Sequence, residues 1–240
     1  MKRSLDDWRV ELIRVTVFTR DEIPASGVEW WKQITGSEPD SISSKPQLRA
    51  FSVSGPLLDS QFVLNVGPGR IDWILGGIPT VDNPVPDIGT YVDTEKQFAD
   101  LVSKWLANPP IAIVRLACGA IVHLPVADKI EGYRLLSELL PPLDIDAEGS
   151  SDLLYQINRP RTSTIIPALR VNRLSKWQVL LVSLVEAVAG RKTGIITLCR
   201  VELDMNTPAE SNDNLSGHVG SLMPELFSLL REIVEKGDVK

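Results

Sequence analysis

The clearest pattern in the chain is an alternation of apolar and polar residues over 193–207. Arg200, Glu202 and Asp204 occupy one set of alternate positions, and the other set is mainly apolar. Side chains of a β-strand point to opposite sides in turn, so this period predicts one long strand with an apolar face. Apolar residues then recur at helical spacing over 219–236, which predicts a helix with one apolar side. Such a helix buries its apolar side when it packs across a sheet.

The same succession of elements occurs earlier in the chain, and both halves predict the order strand, helix, three strands, helix. We therefore expect an α+β fold of two pseudo-repeated βαβββα units, residues 1–108 and 109–240. Each unit would be an antiparallel sheet with helices packed on one face, as in TATA-binding and helix-grip proteins. The alternative is one continuous α+β sheet that only looks repetitive.

Capping boxes predict where three of the helices begin. Ser26, Thr94 and Asp128 are each followed three positions later by Glu or Gln, which allows reciprocal hydrogen bonds at a helix N-terminus. The serine- and proline-rich residues 37–46 predict a loop. Residues 177–188 are almost continuously apolar and could form a buried helix or a strand, and we favour a strand.

Composition limits the class of protein. The formal net charge is −6, which argues against a duplex-binding protein, because such proteins bind phosphates through Lys and Arg. Cys118 and Cys199 lie in apolar runs and are expected to be buried and reduced. The N-terminus lacks the apolar region of a secretory signal, and no apolar run is long enough to span a membrane. We expect a cytoplasmic protein.

Motifs that mark common catalytic sites are absent from the sequence. Gly67-Pro-Gly69 lies between predicted strands and is not followed by a lysine or a helix, so a hairpin turn is favoured over a phosphate-binding loop. His123 and His218, the two histidines of the chain, lie far apart in the sequence and fit neither zinc-ligand spacing nor a nucleophile elbow. We therefore expect no enzyme activity, no cofactor and no metal site.

The acids of the long strand are a second possibility for chemistry. Glu202 and Asp204 share a strand face with Arg200, and two such acids could perform acid–base chemistry or bind a divalent cation. The favoured interpretation is a polar face on which Arg200 balances both charges across strands.

The candidate binding residues are four arginines and one tryptophan. Arginine side chains suit bidentate contacts with an anionic ligand or an acidic protein surface, and internal pairing with acids such as those at 144–148 is the favoured alternative. Trp30 and Trp31 are adjacent and cannot both face inward on one side of a helix, so we expect one ring to be at least partly exposed. That ring is either an interface anchor or lies under the proline-rich loop. The candidates are Arg159, Arg161, Arg170, Arg173 and Trp30.

The C-terminal segment resembles a known group of proteins. The sequence Arg200-Val-Glu-Leu-Asp-Met-Asn-Thr207, followed by a helix containing Glu225-Leu-Phe227, is similar to a sporadically distributed family of uncharacterised bacterial proteins. In that family a late strand ends in Leu-Asp-Xaa-Asn-Thr and an amphipathic helix closes the chain. The resemblance supplies no catalytic residues. The patchy occurrence of the family implies accessory genes of the defence or immunity type.

These observations favour a non-enzymatic binding protein that recognises another protein. The alternative is a small-molecule-binding protein of the helix-grip type, with its ligand between helix and sheet. A saddle-shaped nucleic-acid binder is disfavoured by the charge, and a metal enzyme or hydrolase built on Glu202 and Asp204 is the least favoured. The sequence does not predict the oligomeric state.

Overall fold

The computed structural model describes residues 4–23, 27–80, 83–185, 192–209 and 215–238. Over these residues the chain forms an open antiparallel sheet of ten strands with four α-helices on one side. In chain order the elements are β1 (Arg9–Phe18), α1 (Val28–Thr35), β2 (Ser41–Lys45), β3 (Ala50–Leu57), β4 (Ser60–Gly67), β5 (Arg70–Gly76), α2 (Tyr91–Leu106), β6 (Arg115–Val126), α3 (Lys129–Leu139), β7 (Leu154–Asn158), β8 (Arg161–Thr162), β9 (Arg170–Val185), β10 (Lys192–Asn206) and α4 (Val219–Lys236).

The strands lie in the order β2-β3-β4-β5-β1-β6-β10-β9-β7, and β8 also pairs with β9. The centre of the sheet is the antiparallel pair β1–β6, which runs from Arg9 opposite His123 to Phe18 opposite Arg115. Because β1 opens the N-terminal half of the chain and β6 opens the C-terminal half, this pair joins the strands of both halves into one sheet.

The buried apolar residues of the strands face the helices. One row across the sheet consists of Trp73, Val15, Cys118 and Met205, which are opposed in register and are all buried. A single hydrophobic core takes in residues from β1 through α4. Burial of apolar side chains is the main favourable term in folding, so this one core is what holds the two halves of the chain together.

Aromatic rings connect the halves within this core. Phe62 of β4 stacks on Trp73, with 5.9 Å between ring centres, and lies 6.4 Å from Phe98 of α2. Phe98 in turn makes an edge contact with Phe227 of α4 at 6.5 Å. Phe98 therefore packs between the N-terminal strands and the C-terminal helix.

The main elements predicted from the sequence are confirmed. The long strand over 193–207 is β10, the helix over 219–236 is α4, and the segment from Trp177 is a strand, part of β9, as far as residue 185. Residues 186–188 of that segment lie outside the described residues. Asp128 caps α3 as predicted, and its Oδ1 accepts a hydrogen bond from the amide of Glu131 at 2.9 Å.

The predicted βαβββα order has one strand too few, because each half has four strands between its two helices. Two local predictions are also wrong. Residues 41–45, predicted as loop, form β2, because their backbone pairs with β3 although their side chains are exposed and mostly serine. Helix α2 begins at Tyr91 and not at Thr94, because the hydroxyl of Thr90 accepts the capping hydrogen bond from the amide of Asp93. Ser26, the remaining predicted cap, lies outside the described residues.

Within the described ranges, no helix combines the length and the apolar character needed to cross a membrane.

Replacing Phe98 tests whether one core serves both halves. We expect Phe98→Ala to lower the free energy of unfolding by about 3–5 kcal/mol, because it removes a fully buried ring. Lys96→Ala, an exposed change two residues earlier on the same helix, should alter it by less than about 0.5 kcal/mol. Denaturant unfolding followed by tryptophan fluorescence and by circular dichroism should give a single coincident transition. Two separate transitions would contradict a shared core.

Candidate functional site

The side of the sheet opposite the helices is predominantly polar along its central strands. We call it the helix-free face, since every α-helix described lies on the other side. Strand periodicity places there the residues that alternate with the buried core positions. The polar residues on the helix-free face of β5, β1, β6, β10 and β9 include Arg70, Asp72, Arg14, Thr16, Arg115, His123, Arg200, Glu202, Asp204, Asn206, Asn172 and Lys176.

An ion pair crosses the middle of this face. Gly119 of β6 is directly opposite Arg14 of β1 on one side and Asp204 of β10 on the other. A Cβ atom at Gly119 would lie 2.8 Å from Arg14 Nε and 3.0 Å from the carbonyl oxygen of Leu203. Because glycine has no Cβ, the Arg14 side chain can cross β6 and donate a hydrogen bond to Asp204.

A second group of charges lies towards the other end of the same strands. Arg200 Nε donates to both carboxylate oxygens of Glu11, at 2.9 and 3.0 Å, and its Nη1 donates to Glu202 Oε1 at 2.5 Å. Lys176 Nζ donates to the same Glu202 oxygen at 3.3 Å. Burial raises the pKa of Glu202, but the hydrogen bonds from Arg200 and Lys176 outweigh it and hold the pKa below its ordinary value.

His123 is buried beside this group. Its Nδ1 lies 3.4 Å from Glu11 Oε1 but lacks hydrogen-bond geometry and has no partner among the described residues. The other histidine, His218, is the N-cap residue of α4. The two histidines therefore belong to different parts of the fold.

Asparagine and arginine side chains form a row across the face beside Phe18, the last residue of β1. Arg70 and Arg115 stack on the ring of Phe18, at 5.7 and 4.7 Å from its centre. Arg115 Nη2 and Asn172 Nδ2 each donate to Asn206 Oδ1 at 3.0 Å. Together with the ring of Phe18, these polar side chains form a continuous row of contacts across the sheet from β5 to β9.

Between the charged groups lies an open trough of about 520 Å³. Leu12, Ile74, Ile121 and Leu174 supply apolar lining, and charged lining includes Lys176 and Glu202. Apolar side chains next to charges that are already oriented by partners are typical of surfaces that bind proteins. We take this trough and the surrounding polar rows as the candidate site.

The predicted arginine cluster is located elsewhere, beside the C-terminus of α4. Arg159 donates to both carboxylate oxygens of Asp238, at 2.5 and 2.9 Å, and Arg161 Nη1 donates to Glu232 at 2.8 Å. Arg173 is 2% exposed, and its Nη2 lies 3.5 Å from Glu232. Burial and the neighbouring Arg161 lower the pKa of Arg173.

Three of the four candidate arginines thus form internal ion pairs. Their acids are Glu232 and Asp238 at the end of the chain, and not the acids of 144–148 that the sequence suggested. Arg170 is exposed at the start of β9. The cluster therefore fastens β7, β8 and β9 to the last helix, and a role in binding an anion stays a prediction.

The expected exposure of Trp30 is wrong. Its ring is 8% exposed, and Trp31 is 1% exposed. Trp31 packs on Phe62 of the sheet, whereas Trp30 packs on Trp105, with 5.4 Å between ring centres, because α2 lies against α1. The two rings point in different directions, but each meets a different neighbour, so Trp30 is not available as an exposed anchor in this conformation.

Glu202 and Asp204 share one face, as predicted, together with Arg200. Glu202 accepts from Arg200 and Lys176, whereas the cation bound to Asp204 is Arg14. The prediction that Arg200 balances both acids is therefore wrong for Asp204. Over the described part of the chain, no group of three His, Cys, Asp or Glu side chains is placed to hold a metal ion. Cys118 and Cys199 are buried free thiols, and burial raises the pKa of Cys118.

Arg14, Glu11 and Lys176 were missed as candidate site residues. The alternation along β1 indicates that Arg14 shares a face with Leu12 and Thr16, but its partner Asp204 lies 190 residues away in the sequence. That contact depends on β1 and β10 both pairing with β6, which the sequence alone did not predict.

Arg173 and Glu232 provide a test of the structural role of the arginine cluster. Glu232→Ala should lower the free energy of unfolding by about 3 kcal/mol, because it leaves the buried Arg173 unpaired. Arg173→Met, which removes the buried charge but keeps much of the volume, should cost less than about 1 kcal/mol. Urea unfolding of both variants measures the difference. Equal losses would show that Glu232 stabilises the fold by another contact.

Two carboxyl groups make stability depend on acid pH. Burial raises the pKa values of Asp238 and Glu225, but hydrogen bonds from Arg159 and Tyr155 to Asp238, and from Ser163 and Thr164 to Glu225, outweigh it, so both pKa values are lowered. The unfolded chain then binds protons at a higher pH than the folded chain does. The contribution of these two carboxylates to the free energy of unfolding should be fully present above about pH 5. It should be lost progressively as the pH drops below about 4.

Urea unfolding between about pH 3 and pH 7 measures this dependence. Asp238→Asn should be less stable than the wild type at pH 7 and should lose less stability on acidification. Profiles that run parallel for the two proteins would contradict the role of Asp238.

Comparison of the chain with models of known families, with curated proteins and with solved structures found no match.

Proposed function

We propose that the chain is a non-enzymatic binding protein that recognises another protein through the trough and polar rows of the helix-free face. The observation that carries this proposal is the chemistry of that face. A broad sheet surface without helices displays apolar side chains between charges whose positions are fixed by their partners. Side chains that are already ordered lose little conformational entropy when a partner binds.

The pairing of the charges favours binding over catalysis. The acids beside the trough, Glu202 and Asp204, accept hydrogen bonds from Lys176, Arg200 and Arg14. A general base needs a pKa near the working pH, whereas the pKa of Glu202 is lowered. Fixed rows of opposite charge instead suit recognition of a complementary protein surface, because they penalise partners with the wrong charge pattern.

The biological setting rests on the resemblance of 200–207 and 225–227 to a sporadically distributed bacterial family. Patchy occurrence fits an accessory system of the defence or immunity type. The chain would be a cytoplasmic component of such a system that acts by binding a protein partner.

We further infer that the two halves, 1–108 and 109–240, arose as copies of one unit. Each half has the order strand, helix, four strands, helix. In the first half the strands lie as β1-β5-β4-β3-β2, and in the second as β6-β10-β9 followed by β7 and β8. The opening strands β1 and β6 meet at the centre, and the proposed duplication would correspond to a layout like that of TATA-binding and helix-grip proteins.

Affinity capture with matched variants tests the binding face. Tagged wild-type chain, Ile121→Lys and Lys96→Ala would be used to capture partners from the native lysate. Ile121 lines the trough directly opposite Glu202, so the new ammonium group has an acidic neighbour and the sheet should stay folded. Lys96 is exposed on α2, on the other side of the sheet.

We expect the wild type and Lys96→Ala to retain one protein at a near-equal molar ratio, and Ile121→Lys to retain about tenfold less or none. Thermal unfolding of all three proteins checks that they are equally folded. Equal retention by all three would contradict the helix-free face as the binding surface. If native mass spectrometry of the purified chain shows a bound metabolite and no protein is captured, the small-molecule-binding alternative is favoured.

A further inference from the structure

The hairpin of β9 and β10 extends beyond the rest of the sheet. β10 pairs with β9 from Lys192 onward, but with β6 only from Thr197 onward. On the other side of β9, the pairing with β7 stops at Gln178, which is opposite Leu154. Residues 179–185 of β9 therefore have β10 on one side and no strand among the described residues on the other. We call residues 179–185 the arm edge.

The arm edge lacks the features that usually protect a free strand. Its sequence is Val-Leu-Leu-Val-Ser-Leu-Val, without charge or proline. Leu181 is 50% exposed, and Ile195 on the adjoining strand is 52% exposed. Edge strands in soluble proteins are normally short, charged, interrupted by proline or covered, because their unpaired backbone groups can pair with another chain.

The opposite edge of the sheet shows this protection. Strand β2 has five residues, ends in Lys45, and is followed immediately by Pro46. Both edges expose backbone groups, but only the arm edge combines them with an uncharged apolar sequence. An edge of this kind is open to pairing with another protein chain.

We propose that the arm edge pairs with the arm edge of a second copy of this chain, antiparallel and about a two-fold axis at Val182. In this register all seven residues pair, since position 179 lies opposite 185 and Leu180 lies opposite Leu184 of the second copy. Residues opposite each other in an antiparallel pair share a face, so Leu180, Val182 and Leu184 of both copies meet on the helix-free side.

Charge favours a second copy as the occupant. Each chain has a formal net charge of −6, so two copies repel each other, and the repulsion is smallest when uncharged surfaces meet. Residues 177–185 and 193–199 contain no charged side chain, which lets two arms meet without opposing like charges. The arm edge has no charge that could complement an acidic or a basic partner. An uncharged strand can pair with a copy of itself, and a two-fold interface requires such self-complementarity.

Pairing also continues the sheet. A two-fold axis perpendicular to the sheet keeps the helix-free faces of both copies on the same side. The dimer would then present two troughs on one continuous surface. This inference does not depend on the proposed function, since a monomer could bind a partner through its own trough.

Sedimentation velocity on the full chain tests the pairing and its register. We expect the wild type to be a dimer at about 100 μM and Val182→Lys to be a monomer, because like charges then meet at the axis. L180K/L184K should also be monomeric. L180K/L184E should dimerise again, because each lysine lies opposite a glutamate of the second copy, and L180E/L184K should behave in the same way.

L180K/L184K and L180K/L184E alter the same two positions and differ only in the sign of the charge at residue 184. Comparing them therefore tests the pairing even if a single substitution disturbs folding. Circular dichroism and thermal unfolding check that each variant is folded. A wild type that is monomeric at about 100 μM overturns the proposal, as does equal self-association of L180K/L184K and L180K/L184E. Partner capture through the trough should be retained by monomeric Val182→Lys, which separates this proposal from the proposed function.

Discussion

The pairing of β1 with β6 is the interaction on which the rest of the structure depends. It joins the strands of the two halves into one sheet and fixes the register from Arg9 opposite His123 to Phe18 opposite Arg115. Since all the described helices pack on the same side, each central strand (β5, β1, β6 and β10) has one face in the core and one face without a helix. A single register therefore determines both the composition of the core and the order of charges on the opposite face.

Two neighbouring rows of residues show how the register of β1 and β6 sets both the core and the charges. Val15 and Cys118 are opposed in the buried row, and one position along each strand Arg14 is opposite Gly119 in the exposed row. Glycine at that position lets Arg14 reach Asp204 on β10, so the central charge pair spans three strands. Shifting β1 by one residue would exchange buried and exposed side chains along the whole strand, which is why the apolar core also specifies the arrangement of charges.

The sequence predicted the elements whose apolar pattern is long and regular. β10 and α4 were located correctly, because alternation and helical spacing both persist over many residues. β2 was missed, because an exposed serine-rich strand has no apolar face and is defined only by backbone pairing with β3. Burial of Trp30 was missed for a related reason, since it depends on α2 packing against α1, and intrahelical geometry alone cannot indicate a second neighbour.

Only part of the candidate site could be predicted from the sequence. Glu202 and Asp204 could be placed on one face with Arg200, but Arg14 and Glu11 are contributed by a strand about 190 residues earlier. The arginines that stood out in the sequence bind the last acids of the chain instead. A cluster of cations in sequence says little about function until the location of the acids is known, because internal pairing satisfies the same hydrogen-bonding groups as a ligand would.

We propose that the helix-free face, and not the helical side, contacts the protein partner. Lysine labelling followed by mass spectrometry, on the chain alone and in complex, tests this most directly. Lys176 lines the trough, and Lys96 lies on the outer side of α2. We expect the partner to reduce the labelling of Lys176 strongly and to leave the labelling of Lys96 unchanged. Protection of Lys96 with unchanged labelling of Lys176 would contradict it.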